Sequence, residues 1–189
     1  MQKILLLDNY DSFTYNLVHY FEAITGTKPI VKRNNEISIE AIADFDAIVL
    51  SPGPGLPKDA GIMPELLQKY SATKKILGVC LGHQAIAEHF GAQLKQLQQV
   101  QHGVASELSV LKNDCLYKNL PATFKVGRYH SWVVDNSNLP ACLEVLAIDE
   151  QKQIMSLKHK TLPIWGLQFH PESILSEHGM EILENWLRC

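Results

Sequence analysis

The sequence predicts an α/β fold: a mainly parallel central sheet flanked by helices, with an additional antiparallel strand region. Three observations carry this reading. Short apolar runs in the first half alternate with stretches whose apolar residues recur at helical spacing, the pattern of a parallel sheet wrapped by helices. After Gly91 the texture changes to strand-like segments separated by turns. No repeat, low-complexity tract or linker divides the chain, so residues 1–189 are expected to form a single domain.

The elements follow in order. KILLL (Lys3 to Leu7) reads as a strand buried on both faces. Beyond the polar turn DNYDS, Phe13, Leu17, Val18, Phe21 and Ile24 mark a helix that ends at Gly26. PIVKR and DAIVLS are the next strands, and SPGPGLP stops the latter. Met63, Leu66, Leu67 and Tyr70 mark a second amphipathic helix, then KILGVC a strand and GHQAIAEHFG a helix. SELSVL, TFKVGRYH, LEVLAI, QIMSLK and PIWGLQFH are expected as antiparallel strands or hairpins. Met180, Ile182, Leu183, Trp186 and Leu187 define a closing amphipathic helix.

Composition narrows the function. A net charge of −3 with scattered lysines and arginines gives no electrostatic footprint for nucleic acid or an anionic membrane. The first apolar run meets Asp8 too soon for a signal-peptide core, and no segment reaches membrane-spanning length, so a cytoplasmic protein is expected. Cys80, Cys115, Cys142 and Cys189 are far apart without C-x-x-C spacing, which disfavours a zinc site or redox pair. Disulfides are not expected in such a chain. Cys115 and Cys142 read as core fillers and Cys189 as a frayed terminus. The histidines form no H-E-x-x-H or H-x-x-x-H pair, so no metal site is expected.

One cysteine has a different neighbourhood. Gly78-Val79-Cys80-Leu81-Gly82 has the G-x-nucleophile-x-G form of a strand–turn–helix elbow. A thiol there sits at a helix N-terminus, which favours the thiolate, and the Leu81 amide can face a developing oxyanion. An ordinary buried cysteine at a tight turn is the competing reading. In QFHPES, His170 and Glu172 are two apart, and an extended segment would point both the same way. A histidine beside a thiol takes its proton, and a carboxylate orients the imidazole. A surface His and Glu at a strand end is the alternative. In SPGPGLP (Ser51 to Pro57) the prolines stiffen the loop, and because Pro54 has no N–H any amide donor must be a glycine. That suits an oxyanion hole beside a neighbouring strand; a plain turn is the rival. No P-loop or G-x-G-x-x-G pattern is present, so nucleotide phosphate binding is disfavoured.

GVCLGHQ, FHPES and SPGPG, in this chain, resemble the motifs of class I (triad-type) glutamine amidotransferases over essentially the whole length. DNYDSFTYNL, LSPGPGLPKDAG, RYHS and FHPESILSEHG narrow the resemblance to the glutaminase subunits of anthranilate synthase and aminodeoxychorismate (para-aminobenzoate) synthase. The resemblance implies a flavodoxin-like fold with Cys80 as nucleophile, His170 as base and Glu172 as orienter. It implies an oxyanion hole from the Gly55 and Leu81 amides. Gly53, Pro54, Gly55, Gln84, Ser131 and Trp132 would bind glutamine. Ammonia would pass to a chorismate-binding synthase subunit, where Mg2+ is expected; this chain would need no cofactor. DNYDSF, which follows the first strand at the sheet edge that also carries the elbow, is the expected contact through which that partner switches the glutaminase on. The chain departs from the family at Trp132, where Leu is usual after RYHS, and at Val104, where Lys is usual after His102-Gly103. A related cysteine hydrolase and a degenerate, regulatory amidotransferase are the rival readings. The tryptophan and folate pathways are not separated by the sequence.

Overall fold

The computed structural model of the chain describes residues 2–189. Its elements in order are β1 (Ile4–Asp8), α1 (Thr14–Thr25), β2 (Ile30–Arg33), β3 (Ala47–Leu50), α2 (Met63–Tyr70), β4 (Lys75–Val79) and α3 (Leu81–His89). Then come β5 (Leu94–Val110), β6 (Thr123–Val134), β7 (Leu143–Asp149), β8 (Ile154–His159), β9 (Ile164–Leu167) and α4 (Gly179–Arg188). The strands form one sheet in the order β2-β1-β3-β4-β9-β8-β7-β5-β6.

β2, β1, β3, β4 and β9 run parallel, and β8, β7, β5 and β6 continue the sheet antiparallel. The segment PIWGLQFH therefore differs from expectation. β9 pairs antiparallel with β8 but parallel with β4, where Gly78 lies opposite Gly166. All four of its residues are buried, because it sits between the two regimes rather than at an edge.

Strand alternation sorts the core onto two faces. Leu6, Val49 and Leu77 face α1 and α4, where Phe21 meets Trp186 edge-on at 5.8 Å. Leu5, Leu7, Ile48 and Leu50 face α2 and α3, packing with Leu66 and Ile86. α1 stops where Gly26 turns left-handed (φ 70°) and donates its N–H to the Glu22 carbonyl. In α4, Ile182, Leu183 and Trp186 are buried, but Met180 points outward and is not part of the apolar stripe.

The cysteines require a correction. Cys115 is exposed, not a core filler, and forms a disulfide with Cys189. Sequence separation of 74 residues hid the pair; a short turn after β5 and the end of α4 bring the two Cα atoms to 5.7 Å. Cys189 is thus bonded rather than frayed, and its N–H reaches the carbonyls of Asn185 and Trp186. Cys142 is partly buried against the α2–α3 core. Among the described residues, no helix is long and apolar enough to cross a membrane.

Candidate active site

The site lies at the C-terminal ends of β1, β3, β4 and β9, where parallel strands release their loops. β4 delivers Cys80, which caps α3 with φ 52° and ψ −100°. This backbone region strains a residue with a Cβ. Glycines make the bend possible. A Cβ on Gly78 would lie 2.4 Å from the Gly82 backbone, and one on Gly82 would lie 2.5 Å from the Leu50 carbonyl oxygen. The Cys80 N–H is tied to the Leu167 carbonyl at 2.7 Å. Leu81 is the first residue of α3, so its amide lies outside the helix's own hydrogen bonds.

β9 leads to the second part. His170 forms a single bridge with Gly127 of β6, and the Ser173 N–H closes a tight turn onto the His170 carbonyl. A turn, not an extended segment, therefore brings the two side chains together. His170 Nδ1 and Glu172 Oε1 are 2.7 Å apart, and both side chains are buried. Nε2 is buried without a hydrogen-bond partner. Burial alone would lower the His170 pKa, but the Cys80 sulfur and the Glu172 carboxylate outweigh it and push it up to about 10. The Cys80 sulfur also lies 3.8 Å from Gln168 Nε2 and 4.0 Å from the Tyr129 carbonyl oxygen.

The glycine loop closes the site from β3. Gly53 packs so tightly that a Cβ would lie 2.6 Å from the Asn9 carbonyl oxygen and 2.9 Å from Leu81 Cδ2. Gly55 has open space but a positive φ of 76°, so its requirement is conformational. A cavity of about 160 Å³ is lined by Gly53, Pro54, Gly55, Cys80, Gln84, Tyr129, His130, Ser131 and Trp132. All six residues expected to bind substrate are in that lining. His170, Glu172 and Leu81 stand outside it. A larger groove of about 370 Å³ lies against Gln96, Gln101, Gln151 and Gln153, with no titratable group in its lining.

Sequence reasoning missed an aromatic cluster and a polar network. Phe13, read as a helix core position, precedes α1 and packs on Tyr129 at 5.0 Å and on His170 at 5.5 Å. Tyr129 also meets His170 at 5.0 Å, and its hydroxyl lies 3.1 Å from Ser173 Oγ. Arg128, His130 and Gln168 are all buried. Three buried polar residues around one strand end were the signal available, but only the fold shows their burial. His83, next to the elbow, is fully buried, and burial holds it down to about 4. Asp114, Cys115 and Cys189 bring three potential metal-binding atoms close together. Both sulfurs are in the disulfide, and the Asp114 oxygens serve Leu116 N–H, Trp165 Nε1 and Lys158 Nζ.

Chemically, the arrangement combines a thiol at a helix N-terminus, an oriented imidazole and two glycine-loop or elbow amides beside a small cavity. That set can carry out acyl transfer through a thioester. The family model for class-I glutamine amidotransferases matches residues 5–189. Anthranilate synthase component 2 of Pseudomonas aeruginosa is 44% identical, covering 98% of this chain and 94% of that protein. Aminodeoxychorismate/anthranilate synthase component 2 of Bacillus subtilis is 41% identical, covering 97% and 95%. A solved glutamine amidotransferase of Thermotoga maritima shares the fold, with a TM-score of 0.80 at 15% identity over 99% of this chain and 96% of that one.

Proposed function

The chain belongs to the class I glutamine amidotransferases, and on that premise we propose that it is the glutaminase subunit of a chorismate-using synthase. The observation that carries the reading is the strained thiol of Cys80, with His170 and Glu172 behind it, opening on a cavity of about 160 Å³. That volume suits a free amino-acid amide rather than a polypeptide.

In the proposed reaction, the Cys80 thiolate attacks the side-chain amide carbon of glutamine. The Gly55 and Leu81 amides donate to the oxyanion, each such donor being worth about 3 kcal/mol. The C–N bond breaks as the charged His170 gives its proton to the leaving nitrogen, and ammonia departs. A glutamyl thioester remains on Cys80. Neutral His170 then takes a proton from water, the hydroxide displaces the thiolate, and glutamate leaves. Glu172 holds the ring in the tautomer that keeps Nε2 toward the sulfur. No step requires a cofactor in this chain.

The ammonia is consumed by a chorismate-binding subunit that makes anthranilate, aminodeoxychorismate or, with a shared glutaminase, both. The P. aeruginosa relative is named for the first product and the B. subtilis relative for both. The DNYDSF loop is the proposed sensor of the partner. Tyr10 is half exposed at its tip, and Phe13 rests on the His170 ring. Replacing Tyr10 with Ala is expected to reduce stimulation by the partner while leaving basal hydrolysis intact.

The experiment is ammonia release from glutamine by the full chain, alone and with each chorismate-using subunit. Stimulation that disappears in Cys80→Ser supports the reading and identifies the product made. No release under any condition from folded protein would sink it.

A further inference from the structure

Behind the cavity wall runs a chain of hydrogen bonds whose direction is fixed from one end. Arg128 is a donor only, and its NH1 is anchored on Asp149 Oδ2 at 2.6 Å in a buried pair. Two further N–H groups, from Gln151 and Gln153, hold the other Asp149 oxygen. Arg128 Nε points at His130 Nε2 at 3.1 Å. A guanidinium can only donate, so Nε2 must accept and the ring proton must sit on Nδ1. Nδ1 then donates to the Trp132 carbonyl at 3.0 Å. Burial, and then the Arg128 charge, push His130 down to about 3, so the ring keeps this single-proton form.

The Trp132 carbonyl has a second donor, Gln84 Nε2 at 2.8 Å. A carbonyl can only accept, which settles the orientation of the Gln84 amide. The same Nε2 reaches Gln168 Oε1 at 3.2 Å, so both of its protons are used. Gln84 Oε1 makes no hydrogen bond to the described residues, and Gln84 lines the cavity.

We infer that Arg128 and His130 are positioning residues that, through the Trp132 carbonyl, hold the Gln84 amide with its oxygen free for the α-ammonium group of the substrate. The inference rests on the reading of the cavity as the glutamine site and assigns that site its polarity. A free carbonyl oxygen in the lining of the cavity that also holds Cys80 selects a substrate with a cationic amino end. It gives nothing to an amide that lacks one. The Arg128–Asp149 pair sits outside the cavity in the fold's antiparallel half, so it acts on recognition and not on the reacting atoms.

The test compares two electrophiles on the full chain, with Cys80 labelling followed by mass spectrometry. One is the glutamine-shaped diazoketone 6-diazo-5-oxonorleucine; the other is iodoacetamide, which needs no amino-acid pocket. His130→Leu removes both ring nitrogens. His130→Asn restores a donor at the Nδ1 position. The expected result is that His130→Leu slows diazoketone labelling by about ten- to a hundredfold, the loss of one strong hydrogen-bonded placement. Iodoacetamide labelling stays unchanged, and His130→Asn recovers most of the diazoketone rate. Unchanged diazoketone labelling in His130→Leu overturns the inference. So does an equal loss with both reagents, or failure of His130→Asn to recover, because a merely structural role predicts either. A desamino diazoketone labelling the wild type as fast as the complete analogue has a different meaning. It would show that the cavity does not read an amino group, and would remove the glutamine-site reading along with the relay.

Discussion

The parallel and antiparallel halves of the sheet contribute differently to one site. β1, β3, β4 and β9 are buried at almost every position, and the segments that follow them carry Cys80, His170, Gly55 and Leu81. β5 is seventeen residues long with a single fully buried position, and it pairs with β7 only over its last three residues. β6, its neighbour, supplies Tyr129 to Trp132, one wall of the cavity. The thiol is thus fixed by close-packed backbone, whereas the β6 wall of the cavity is tied down by hydrogen bonds from the Arg128, His130 and Gln84 side chains. Errors of placement should therefore have different signatures in the two halves.

The largest effect expected is on chemistry in the parallel half. His170→Asn should lower glutamine hydrolysis by about 10²–10⁴-fold with the fold intact, measured as kcat for ammonia release. Next comes packing. Gly82→Ala places a Cβ 2.5 Å from the Leu50 carbonyl oxygen, and denaturant unfolding should show a loss of about 1–3 kcal/mol. A third difference depends on pH. The His170 pKa is raised to about 10, against about 6.5 for a free imidazole. The charged ring's contribution to stability is therefore full below about pH 6.5 and fades as pH rises through about 10. The melting-temperature gap between wild type and His170→Asn should narrow across that window; a gap that widens would contradict the charge assignment. The smallest effect belongs to the antiparallel ribbon. Val100 is 61% exposed on β5, and Val100→Ala should change unfolding free energy by less than about 0.5 kcal/mol. A larger loss there would break the contrast between the halves.

This division also explains what could be read from the sequence. The buried parallel strands β1, β3, β4 and β9 are written as short apolar runs, and the elbow and loop by glycines that close backbone approach or a positive φ requires. The antiparallel pairing of β9 with β8 is local and legible, whereas its parallel pairing with β4 spans most of a hundred residues and leaves no trace in the sequence. His170 and Glu172 were paired for an extended strand, yet a turn joins them. The Cys115–Cys189 link leaves no local pattern, and although Arg128, His130 and Trp132 alternate along β6, their links to Asp149 and Gln84 depend on distances between segments that only the assembled sheet sets. Phe13 obeyed the helix period, so periodicity concealed its contact with His170.

The backbone at Cys80 bears on how such a chain would drift if its chemistry ceased to matter. With φ 52° and ψ −100°, position 80 suits glycine, and any side chain there costs about 1–2 kcal/mol. Cys80→Gly relieves that strain but removes a buried side chain and the sulfur that helps hold His170 charged, so it should end glutamine hydrolysis without raising the melting temperature. The bend is thus strain that a binding module alone would have no use for, carried at the position where the proposed chemistry needs a thiol.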